Sequence, residues 1–153
     1  MSEPPFDVAK AHRWFAVELN NHAWELYELP ARTAEETERM IDAAHASVHH
    51  WRQVGTLLNA LRGQVLLASV YAAAGLAQGA VRHAYGALEL LDRADQPTAF
   101  DRASAFASAA RAMALAGKAA EASRLTTAAK EALAQLDDED RRVASQLWKL
   151  EDV

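Results

Sequence analysis

Two stretches of this chain superpose on their glycines, and that duplication constrains the fold more than any other feature. Ala68, Tyr71, Gly75, Ala80 and Ala87 in one match Ala110, Met113, Gly117, Ala122 and Ala129 in the other, at an offset of 42 residues. Small residues at helical spacing on both sides of a glycine are the signature of two helices joined by a tight turn. The small side chains let the helices approach, the larger one fills the gap, and glycine makes the turn. A unit of this kind cannot bury its apolar face alone, so copies must stack.

Composition agrees. Of 153 residues 36 are alanine, against 6 glycines and 4 prolines, a supply that favours helix. No run alternates polar with β-branched residues as a half-buried strand would. The chain therefore reads as all-α, about seven antiparallel helices in a single domain over 1–153. Asp7 caps a first helix that Pro30 stops after Leu29. Its large apolar residues, Val8, Phe15, Leu19, Leu26 and Leu29, form a stripe with Ala11 that also takes in His22. Thr33 and Glu36 form a capping box for a second helix that ends at Val54, before Gly55. Further helices are expected over 56–74, 77–91, 98–116 and 118–136. A last one begins at the acidic run Asp137-Asp138-Glu139-Asp140, where a helix N-terminus favours negative charge, and continues to Leu150.

The repeat spacing resembles the tetratricopeptide-repeat signature of a small residue, an aromatic, a turn glycine and two alanines. The likeness covers about 57–136. It departs at Met113, which stands where the aromatic belongs, and in its offset, since that family repeats every 34 residues. The stretch from Ala44 to Trp51, leading to Gly55, is also similar to a segment of small bacterial repeat-like proteins, a likeness that supplies no function. The resemblance implies a right-handed stack of hairpins, with 7–54 as an atypical first hairpin and 138–150 as a C-terminal capping helix. It also implies a groove, lined by the first helix of each pair, that binds a protein or peptide partner. Carried onto this chain, the groove positions are Arg62, Val65, Ser69, Ala72 and Ala73, then Ser104, Ala107, Arg111, Ala114 and Leu115. Arg62 and Arg111 suit a partner's carboxylate. Trp14, Trp24 and Trp148 fall off the main stripes or near a terminus, and exposed aromatics suggest an interface. A homodimer is the expected assembly.

Other classes lack support. The net charge is −5 with both signs interspersed, so no basic face marks a nucleic-acid binder. With no cysteine there is no thiolate chemistry and no Cys-ligated metal. Val65–Ala77 is too short to cross a bilayer, and the start Met1-Ser2-Glu3-Pro4-Pro5 lacks the basic and apolar regions of a secretory signal, so a cytoplasmic location is expected. Ser47 and His50 have ordinary surface spacing, and Gly75–Gly79 lacks the lysine and strand of a phosphate loop.

One feature points elsewhere. Glu38, Asp42, His45 and His49 share one line on the second helix. In an antiparallel hairpin closed near Pro30 to Thr33, His22 comes near Asp42 and Glu18 near His45. Asp42-x-x-His45 and His45-x-x-x-His49 aim ligands to one side of a helix. The set His22, Asp42, His45 and His49 therefore forms an alternative reading, a metal site for Zn, Fe or Mn in a ligand-binding bundle. The leading reading is a non-enzymatic interaction module that needs no cofactor.

Overall fold

The computed structural model describes residues 2–149. Within them it holds seven helices: α1 (Val8–Glu28), α2 (Ala34–Val54), α3 (Leu57–Ala73), α4 (Ala77–Arg93), α5 (Ala99–Leu115), α6 (Ala119–Leu133) and α7 (Asp138–Trp148). The fold is all-α, with no strand among the described residues. Helix α6 stops three residues earlier than its composition suggested, and the expected end of α7 at Leu150 lies outside the described residues.

Local chemistry sets the helix ends. Lys10 N–H donates to Asp7 Oδ1 at 3.0 Å, and Asp140 N–H to Asp137 Oδ1 at 2.8 Å. The Thr33/Glu36 box closes at both bonds, 3.1 and 2.8 Å. Thr98 and Asp101 form a second box at the start of α5. The two glycine turns are copies of each other. Gly75 and Gly117 both have φ of 74°. In each, the N–H after the glycine reaches five residues back, Leu76 to Tyr71 and Lys118 to Met113, both at 2.9 Å. This Schellman arrangement requires the left-handed backbone that glycine adopts freely.

Helices pack as consecutive pairs, α1 with α2, α3 with α4 and α5 with α6. Then α2 packs on α3, α4 on α5, and the first helices α1, α3 and α5 touch in series. The duplicated alanines lie in these seams. Ala68, Ala80 and Ala87 have no exposure, and their counterparts Ala110, Ala122 and Ala129 are buried as well. Stacked hairpins of this kind are compatible with a helical repeat.

Helix α1 departs from the expectation based on its large residues. Its buried side is Ala16, Ala23, Leu26 and Tyr27, while Val8, Phe15 and Leu29 are exposed and His22 lies outside the core. Close approach is the cause. Ser47 Oγ donates to the Ala16 carbonyl at 2.7 Å, a contact that only a small residue on α1 permits. Of the bulky stripe, Leu26 is buried and Leu19 packs on the core, Phe15 lies exposed with its ring stacked on His50 of α2, and Val8 and Leu29 are open to solvent.

Candidate functional site

The side formed by α1, α3 and α5 is not empty. Helix α7 lies across it and touches all three. Trp148, 2% exposed, meets Trp24 of α1 edge-on with ring centroids 6.2 Å apart, and Phe100 of α5 at 6.0 Å. Its indole N–H points to Ser69 Oγ of α3 at 3.5 Å. The Leu147 carbonyl accepts from the Tyr27 hydroxyl at 3.0 Å, and Arg111 of α5 in turn donates to that hydroxyl and stacks over its ring. Burial pushes the Tyr27 phenol above its ordinary range, although Arg111 opposes the shift.

Trp148 was expected to be an exposed interface residue. It is core, and Trp24 is half-buried against it; of the three tryptophans, Trp14 is the one left open, at 59% exposed. The misplacement has a simple origin. Ala144, Leu147 and Trp148 occupy positions i, i+3 and i+4 of a short helix, a docking stripe too brief to stand out in sequence.

The expected groove residues fall into two groups. Val65, Ser69, Ser104 and Ala107 are buried, and Ala72, Ala73, Ala114 and Leu115 remain at least partly open. Arg62 does not reach outward unpaired: its Nε and Nη2 grip both oxygens of Asp101 at 2.8 and 3.1 Å. Asp101 is 3% exposed and also accepts from the Thr98 N–H and hydroxyl. Burial alone would raise its pKa, but the Arg62 and Thr98 hydrogen bonds outweigh it and hold the carboxyl below its usual value. Ser69 and Ser104 donate to carbonyls one turn back, Val65 and Phe100, so neither is aimed at a base. Beside the Trp148 indole a cavity of about 250 Å³ stays open, lined by Asn20, Trp24, Leu61, Arg62, Phe100 and Leu147 among others. Its walls are mainly apolar with a charged rim, suited to an aromatic or aliphatic anchor.

The four residues of the metal reading are placed apart in role. His22 lies on α1, 3.7 Å from Glu25 of its own helix. Asp42, His45 and His49 are exposed along α2. His45 turns toward α3 and α4 rather than toward Glu18 of α1: its Nε2 shares a hydrogen bond with the Tyr71 hydroxyl at 2.9 Å. Among the described residues, no three His, Asp or Glu side chains are grouped so as to hold a metal ion.

Sequence reasoning missed the partner of that contact. His83 of α4 donates from Nδ1 to Gln64 Oε1 at 2.8 Å, and its ring lies 5.3 Å from that of Tyr71 and 5.8 Å from that of His45. Burial lowers its pKa to about 4, helped by the neighbouring His45, Arg82 and Arg52. Burial likewise lowers His45, with Arg52 adding to it. A second contact, His12 Nδ1 to His50 Nδ1 at 2.8 Å, closes the open end of the first hairpin. No periodicity within one helix marks either pair, because each joins helices through the fold.

Comparison with known protein families, with curated proteins and with solved structures finds no match to this chain.

Proposed function

We propose that this chain is a non-enzymatic interaction module, a tetratricopeptide-like stack of hairpins that holds a helical segment of a partner protein against α1, α3 and α5. One observation carries the reading: the chain's own α7 is seated there, with an aromatic anchor buried at the centre. A face that orders a short amphipathic helix presents the groove chemistry that helix recognition uses, an apolar seat with anchors at i and i+4. The duplicated glycine turns and buried alanines support the repeat character. The test is a displayed library of helical peptides panned against the full chain, with the bound site mapped by amide chemical shifts. Shifts should centre on Trp24, Leu61 and Phe100, and Phe100→Ala should weaken binding at least tenfold. Binders that map to the outer side of α2 and α4 would refute the reading.

A homodimer belongs to the same proposal, because Trp14 and Phe15, in edge contact with ring centroids 4.9 Å apart, stay exposed on α1. Sedimentation over a concentration series should show association that Trp14→Ser abolishes; a monomer throughout rejects it. No helix among the described residues is long and apolar enough to cross a membrane. Activity in a reducing cytoplasm fits a chain without cysteine.

A further inference from the structure

We propose that α7 is a displaceable latch, docked in cis on the seat where a partner helix binds, and that the partner presents an aromatic side chain in the place of Trp148. The inference rests on the reading of that face as the partner site. Three observations carry it.

First, α7 is held lightly. Of its 11 residues only Ala144 and Trp148 are buried, Leu147 packs half-buried beside them, and the rest of the helix is polar or open to solvent. Second, lifting it leaves no polar group of the seat stranded. The Tyr27 oxygen keeps the Arg111 donor while its O–H turns from the Leu147 carbonyl to water, Ser69 Oγ keeps the Val65 carbonyl, and the Asp101 carboxylate keeps Arg62 and Thr98. A helix integral to a core normally completes the hydrogen bonding of what it covers. Here each polar group of the seat keeps one partner within the stack, and the Tyr27 O–H, the indole N–H and the Leu147 carbonyl return to water. Third, the seat is larger than its occupant, with the cavity of about 250 Å³ beside the indole still open. A bulkier aromatic helix fills what α7 leaves.

The latch also has a hinge. Arg141, near the start of α7, donates to the Leu133 and Leu136 carbonyls at 3.2 and 2.7 Å, fastening that end to the end of α6. The anchor Trp148 sits seven residues further on, two helical turns away, so the C-terminal half can swing out while the N-terminal end stays fixed. A tethered competitor of this kind weakens every partner by the fraction of time that the latch is closed.

The probe is a fluorescent peptide of residues 137–149, titrated by anisotropy into the full wild-type chain and into the full chain carrying Trp148→Ala. The variant should bind the peptide at least tenfold more tightly than wild type, and a peptide with its own tryptophan replaced by alanine should lose that gain. Amide hydrogen exchange on the wild-type chain gives an independent readout should the variant fail to fold. The amides of α7 should exchange at least a hundredfold faster than those of α3 and α5, through an opening that leaves the stack intact. Exchange of α7 only at the rate of α3 and α5 overturns the latch. Equal peptide affinity for the two chains overturns it as well. Either result leaves the groove reading standing if library peptides still map to Trp24, Leu61 and Phe100, so the two failures are distinguishable.

Discussion

Acid should loosen this fold well before its carboxylates titrate, through His83. In the folded chain the ring is half-buried between Tyr71, Gln64 and His45, with Arg82 and Arg52 adding positive charge, and its pKa falls to about 4 against an ordinary 6.5. Between those values the unfolded chain takes up a proton that the folded chain refuses. The contribution is therefore fully present above pH 6.5 and is lost as pH falls from 6.5 toward 4. The whole gap converts to about 3 kcal/mol, and the half-buried ring reduces that to about 1.5 kcal/mol. His45, also lowered by burial, acts in the same direction. The assay is urea unfolding at pH 7 and pH 4.5 for the wild-type chain and for His83→Gln, which keeps a polar group but cannot titrate. Taking the difference between the two chains cancels Asp101 and Glu36, whose lowered carboxyl pKa values put their losses at lower pH. Wild type should lose about 1 kcal/mol more than the variant over this interval. Parallel losses, or a His83 resonance that titrates near 6.5, would show that the ring is not held neutral by its surroundings.

Two further changes test the packing that shapes the site. Asp101→Ala removes the carboxylate that accepts from the Thr98 N–H and hydroxyl in the α5 capping box and both bonds to Arg62, and should cost about 2 kcal/mol in urea unfolding; a loss under about 0.5 kcal/mol rejects the role given to that carboxyl. Gly79→Ala would place a Cβ 2.2 Å from Tyr71 Cδ1, so the ring must move or the helices part. A destabilisation of about 1–3 kcal/mol is expected, smaller by at least about 1 kcal/mol in a Tyr71→Leu background; additive effects would mean that the two sites do not touch.

Helix ends were readable because they are made within a few residues. Asp7, Thr33 with Glu36, and the two turn glycines act on backbone groups of their own segment, so type and spacing suffice. Contacts between helices were not readable from the same signals. The polar line of α2 is exposed as its spacing implied, yet His45 found Tyr71 and His83, 26 and 38 residues away, and not Glu18. Which line of a helix faces which neighbour depends on how the pairs stack, and periodicity fixes only which residues share a line.

Alanine accounts for both the success and the failure. It marks helix reliably, but it does not mark the buried side, because a burial stripe is recognised by bulk. In α1 Ala16 and Ala23 point in beside Leu26 and Tyr27 while Val8, Phe15 and Leu29 are exposed; in α5, ten residues are buried and eight of them are alanine or serine. Seams lined this way bring backbones close, and the large side chains of the common face of α1, α3 and α5, Trp24, Leu61 and Phe100, stand around a gap rather than filling it. That face is then a shallow apolar trough that must take bulk from elsewhere. Trp148 supplies it from α7, and in the proposed complex a partner's aromatic residue takes that place. On the proposed reading, the alanine-lined seams that hid the packing from the sequence also shape the seat for a partner.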